Sequence, residues 1–146
     1  MVKFFSAAEE SQIVDAIRRA ESNTSGEIRV HVEVGAKGEA LQVAQRVFRE
    51  LEMEKTKDRN GILILLAVDR RQFAILGDEG IDKVVSDNFW DEERDLMQHH
   101  FRQGKFADGI ALAVEQVGAK LKQFFPKQSD DENELPDDIS YGGRRD

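Results

Sequence analysis

Cysteine is absent from the 146 residues. That excludes a disulfide framework, a thiolate metal site and a cysteine nucleophile. Long apolar runs are missing too. The longest, "ILILLAV" at 62–68, is far short of the roughly 20 residues that span a membrane as a helix. The opening "MVKFFSAAEESQ" has no apolar core of a secretory signal, so a soluble, cytoplasmic protein is expected. Basic charge is in deficit, with 21 Lys and Arg against 29 Asp and Glu, a formal net charge of −8. Half of that excess sits in residues 126–146, which hold three basic and seven acidic side chains. An acidic body argues against general nucleic-acid binding, which needs cationic side chains against phosphates. It favours cations or basic partners.

What is present reads as one α/β domain over residues 1–125, followed by an acidic, flexible tail over 126–146. "SAAE" is a capping box with Ser6 and Glu9, and Ile13, Ile17 and Ala20 follow at helical spacing, predicting a helix over 7–22. In "EIRVHVEV" Ile28, Val30, Val32 and Val34 alternate with Glu27, Arg29, His31 and Glu33. Strict alternation predicts a half-buried strand with one charged face, placed near a sheet edge. Leu41, Ala44, Val47, Phe48 and Leu51 predict an amphipathic helix over 39–53. "GILILLAV" is apolar on both faces and should be the central strand. "DRR" is short enough for a hairpin into a third strand, "QFAILG". The pattern gives a parallel βαβ unit followed by an antiparallel hairpin. A short helix over 80–85, a helix carrying Phe89, Trp90, Met97 and Phe101 with Asp87 as its cap, and a last helix stopped by Pro126 complete the chain. The expected architecture is a small three-layer α/β/α sandwich, a mixed sheet with helices on both faces.

Strand pairing brings distant polar residues together. Segments 25–27 ("SGE"), 59–61 ("RNG") and 77–80 ("GDEG") should meet at one end of the sheet. Glu27, Asp78 and Asp82 supply carboxylates there, Asn60 a neutral oxygen, and Arg59 a planar donor fork for an anion. Such oxygen donors are what Ca²⁺ and Mg²⁺ require, and close carboxylates repel unless a cation or proton intervenes. Asp78 and Glu79 also suit the start of a helix, where acidic side chains cap and stabilise. The opposite sheet end, with Gly35, Lys37, Gly38, Asp69, Arg70 and Arg71, is more basic and ranks second; "GAKGEA" matches no Walker or dinucleotide loop. His31, on the charged strand face, is expected in solvent. His99 and His100 are adjacent on a helix and diverge. No Ser–His–Asp arrangement is legible from spacing.

"TSGEIRVHV", "RNGILILLA", "FAILGDEGI" and "FRQGKFADGIALAV", in this order over residues 5–125, resemble the TPM domain family. That family includes the thylakoid lumen acid phosphatase of photosystem II repair. The ending "FPKQSDDENELPDDISYG" is similar to a stand-alone bacterial subgroup. The resemblance implies an α/β/α sandwich, a crevice that binds divalent cations, and phosphatase activity in some members. By motif match it implies Glu27, Asp78 and Asp108 as site positions. Many relatives are exported or carry a membrane helix after the domain, and this sequence shows neither.

Three functions follow as expectations. The first is a divalent-cation-binding module using Ca²⁺ or Mg²⁺, with Zn²⁺ as a further option, and with metal ligands Glu27, Asp78, Asp82 and Asp108 supported by Asn60 and Arg59. The second is a metal-assisted acid phosphatase at the same crevice. The third is a monomeric scaffold whose acidic tail recruits a protein partner.

Overall fold

The computed structural model describes residues 4–35, 38–127 and 136–143. Helix α1 (Ala7–Glu21) starts on the expected capping box: the Glu9 amide donates to Ser6 Oγ at 3.1 Å and the Ser6 amide to Glu9 Oε1 at 2.9 Å. Strand β1 (Glu27–Val34), helix α2 (Ala40–Glu50) and strand β2 (Gly61–Ala67) form the βαβ unit, with β1 and β2 parallel. Strand β3 (Gln72–Gly77) returns antiparallel to β2. Helices α3 (Glu79–Asp82), α4 (Asp91–Arg102) and α5 (Phe106–Leu121) follow, and then strand β4 (Ser140–Gly143). The sheet order is β3-β2-β1-β4.

The two-residue period of the strands sorts the core into two layers. Ile28, Val30, Val32, Ile62, Ile64, Leu66 and Ile75 face α1, α4 and α5, packing with Ile13, Ile17, Met97, Ile110, Val114 and Val117. Leu63, Leu65, Ala67 and Ala74 face α2 and pack with Val43, Ala44, Val47, Phe48 and Met53. This is the expected three-layer sandwich. Every residue of β2 is buried, as an apolar run covered on both faces must be. Among the described residues no helix is long and apolar enough to cross a membrane.

Several local expectations are corrected. β1 is an inner strand, because β4 pairs with it in parallel from His31 to Val34. His31 is therefore buried, 5 % exposed, rather than solvated. Part of the expected flexible tail is thus a strand, while residues 128–135 and 144–146 lie outside the described residues. Helix α2 stops at Glu50 because Glu52 takes a left-handed backbone (φ 57°), and Met53 then turns into the core. Asp87 does not cap α4. Its N-cap position is Trp90, with no side-chain cap, and Trp90 is instead buried edge-on to Phe89.

Candidate functional site

Register settles which segments share an end of the sheet. Glu27 stands opposite Gly61, and Ile62 opposite Gly77. The backbone stitches the three segments directly. The Glu27 amide donates to the Asn60 carbonyl (3.2 Å), the Asp78 amide to the Gly61 carbonyl (2.9 Å), and the Gly80 amide to the Arg59 carbonyl (2.9 Å). Gly80 is required by this closeness: a Cβ there would lie 2.2 Å from the Asp58 carbonyl oxygen and 2.6 Å from that of Arg59.

Asp78 is buried and fully engaged. Its Oδ1 accepts from the Glu79 amide at 2.8 Å, the helix-start role. Arg59 grips both oxygens as a fork, Nε to Oδ2 at 2.7 Å and Nη2 to Oδ1 at 2.9 Å, while Nη1 reaches Glu79 at 3.1 Å. The same pairing holds the Arg59 guanidinium above its ordinary pKa. Beside this pair lies an open depression of about 420 Å³, lined in part by Arg49, Glu54, Arg59, Asp78, Glu79 and Asp82. Burial raises the Asp82 carboxyl, and the charges of Asp78 and Asp87 push it the same way. Glu54 Oε2 is buried with no hydrogen-bond partner among the described residues.

Not all the expected ligands meet here. Glu27 and Asp78 share an end of the sheet but stand on either side of β2, roughly 10 Å apart at the usual strand spacing. Glu27 acts instead on Glu21, whose carboxyl it helps to raise. Asn60 sits between the two: its amide nitrogen reaches Ser25 Oγ at 3.4 Å, and its Oδ1 is buried with no hydrogen-bond partner among the described residues. Asp108 is at the other end of the molecule. Leu121, the last residue of α5, packs on Gly26, so the start of α5 lies a helix length away, roughly 20 Å. There Asp108 accepts from Gln12 Nε2 at 2.8 Å. Among the described residues, no three His, Asp or Glu side chains are gathered as a ready metal cage.

At the competing end, the Gly35 amide donates to Asp69 Oδ2 at 2.7 Å and Arg70 pairs with Glu39 at 3.2 Å, so these groups hold loops. Lys37 lies outside the described residues. His100 Nδ1 donates to the Leu96 carbonyl of its own helix, and its ring stands edge-on to His99 with centroids 5.5 Å apart, so the two adjacent histidines meet rather than diverge as expected.

Sequence reasoning missed a second polar cluster, under β4. His31 Nε2 meets Glu33 Oε1 at 2.7 Å and His31 Nδ1 meets Ser140 Oγ at 2.7 Å. Glu33 Oε2 accepts from Arg46 Nη2 at 2.9 Å. Burial lowers the His31 pKa against the pull of Glu33, with the Arg46 and Arg29 charges acting in the same direction as burial. The charged face of β1 was the available signal. Nothing in the spacing showed that Ser140 would return to it.

The TPM domain family model matches residues 1–120. No curated protein matches. Among solved structures, the BA42 protein of the psychrophilic bacterium Bizionia argentinensis is 48 % identical, with a TM-score of 0.91 covering 97 % of this chain and 98 % of that one. The N-terminal domain of a P. gingivalis protein, 22 % identical with a TM-score of 0.67 over 83 % of this chain and 78 % of that one, shares the fold. The chain belongs to the TPM domain family.

Proposed function

We propose that the protein binds a divalent cation at the depression beside α3, with Asp78, Asp82 and Glu54 as carboxylate donors. The observation that carries this reading is the buried Glu54 Oε2, without a hydrogen-bond partner among the described residues, in a depression whose lining also includes Asp78, Glu79 and Asp82. Buried carboxylate oxygens are costly without a cation or a donor. Hard oxygen donors of this kind suit Ca²⁺ or Mg²⁺, with Zn²⁺ a weaker fit. Arg59 holds the position a cation would need, so binding requires the guanidinium to leave Asp78. At 39 % side-chain exposure, Arg59 has solvent to move into. Asn60 and Glu27 do not line this depression. Asp108 is no part of this proposed site.

A second reading, a metal-assisted phosphatase, is favoured by Arg49 and Arg59 on the same depression, since two guanidinium groups could hold the oxygens of a phosphate. A bound cation would supply Lewis-acid polarisation of such a group. We place this second because Arg59 is committed to carboxylates.

Titration of the labelled protein with Ca²⁺, Mg²⁺ and Zn²⁺, followed by backbone amide shifts, tests the first reading. Shifts should concentrate at Glu54, Arg59, Asn60 and residues 77–82, and Asp78→Asn should weaken them. Saturating metal with no shift in those segments would sink it. A phosphatase assay on wild type and Asp78→Asn addresses the second reading. Activity that survives the substitution belongs to another site or a contaminant.

A further inference from the structure

We propose that the edge of β1 from His31 to Val34 is a sequence-reading peptide slot, that residues 136–143 are its ligand, and that two copies of this chain can exchange that ligand. Adding an extended segment to a sheet edge is a general recognition mode. Main-chain hydrogen bonds supply affinity, and alternate side chains supply selectivity. Here the alternate positions are read on both faces. On the α1 face, Asp137 pairs with Arg18 (3.7 Å) and hydrogen-bonds Glu21, Ile139 packs on the main core, and the Tyr141 hydroxyl bonds Glu10. On the opposite face, Ser140 Oγ meets His31 Nδ1 at 2.7 Å. Gly142 lies where any side chain would collide: a Cβ would be 2.5 Å from Glu33 Oε1 and 3.0 Å from His31 Nε2. Glu33 cannot simply swing aside, because His31 and Arg46 hold its two oxygens. The slot therefore selects aspartate, an apolar residue, serine, tyrosine and glycine at fixed positions.

The same segment is built to detach. It is only four residues long as a strand, it ends in two glycines, and it forms the edge of the sheet. A depression of about 420 Å³ remains between it and α1, lined in part by Glu10, Val14, Arg18 and Ile139, so its apolar seating is incomplete. Pro126 is bridged to Thr24 and the ligand starts at 136, so residues 127–135 make the connection. At roughly 3.4 Å per residue, nine residues span about 30 Å when extended, enough to reach a neighbouring copy. Tethering keeps the chain's own segment at an effective concentration on the order of millimolar, which favours the closed single chain in dilute solution. A second copy competes when the tethered segment is weakened or the protein is concentrated.

The test uses the full-length chain and a fluorescent peptide carrying residues 136–143. Gly142→Val in the chain should eject its own strand. Fluorescence anisotropy should then show the wild-type peptide captured at least roughly tenfold more tightly than by the wild-type chain, whose slot is filled. A peptide carrying the same Gly142→Val change should not be captured, and unlabelled wild-type chain raised toward the order of millimolar should displace the wild-type peptide. Should Gly142→Val fail to fold, the Ser140→Ala, Tyr141→Ala double variant loosens the segment without adding a clash, and capture by it supports the proposal equally. A folded variant that captures neither peptide, or that captures both alike, overturns the slot. Capture without displacement by whole chain overturns exchange between copies.

Discussion

Two clusters on this sheet are made of the same ingredients, carboxylates and an arginine, and they behave as opposites. At the start of α3, Arg59 holds Asp78 and Glu79 at the rim of an open depression, with side chains 39 % and 56 % exposed for Arg59 and Glu79. Under β4, Glu33 is 7 % exposed and is held by His31 and Arg46 beneath a glycine that admits no side chain. Water reaches Arg59 and Glu79, so the pair between them is weak and replaceable, while Asp78 beneath them is 6 % exposed. The second is largely dry on the His31 side, so its members depend on one another. The two carboxylates are equally buried, Asp78 at 6 % and Glu33 at 7 %, so what covers each one, an open depression or a packed strand, separates the cluster that can exchange a ligand from the one that holds a strand.

The sharpest way to break this comparison is Glu33→Ala. It leaves a buried His31 without its carboxylate and frees Arg46, and should cost about 3 kcal/mol of folding stability by urea denaturation. A loss no larger than that of an exposed pair would place the two clusters in one class. Next is Glu21→Gln, at the seat of the segment leading into β4. Burial and a hydrogen bond to Asp137 push the Glu21 carboxyl up to about 10 from 4.5. The folded state therefore holds a proton that the unfolded state has lost. That contribution is full below pH 4.5 and declines as pH rises toward 10. Glutamine mimics the protonated acid, still accepting from the Ile28 amide. The variant should gain on the order of 2 kcal/mol at pH 8, with the gain growing as pH increases. A gain independent of pH would mean that Glu21 is already ionised.

The legible part of the fold is the part fixed by period and turn. The capping box at Ser6, the alternation of β1, the apolar run of β2 and the short break before β3 gave topology and register, and with them the meeting of Arg59, Asn60 and Asp78. The capping role of Asp78 was in view and it fills that role; its pairing with Arg59 was not, because the guanidinium reads from sequence as a fork for an incoming anion. β4 was illegible because "SYGG" has almost no strand propensity of its own. It is a strand because His31 and Glu33 receive it. Once β4 is missed, the charged face of β1 reads as solvated and His31 as a surface residue. Asp108 was misplaced for a different reason. A motif match carries no direction, and α5 runs its first turn away from the end that holds Asp78.

A smaller effect separates the two clusters by pH. Burial lowers the His31 pKa below 6.5, so the unfolded chain binds the proton more readily. Stability from this group is present above pH 6.5 and is lost as pH falls through the lowered value. His31→Gln should flatten the decline in stability below pH 6.5. The amide shifts around Asp78 should stay unchanged, since the two clusters share no residue.

The finest distinction comes from Arg59→Gly. Arg59 sits at φ 52°, a left-handed backbone that glycine adopts without strain. The pair with exposed Glu79 is screened, but Asp78, 6 % exposed, loses its fork, so stability should fall in metal-free buffer, offset in part by the relief of the backbone. Cation affinity should move much further. Without the guanidinium, Asp78 keeps only the Glu79 amide, and its second oxygen becomes available to a metal. Calorimetric titration with Ca²⁺ or Mg²⁺ should therefore show tighter binding by the variant than by wild type. Weaker binding would mean that Arg59 is not a plug, and that it holds the carboxylates in place for whatever the depression receives.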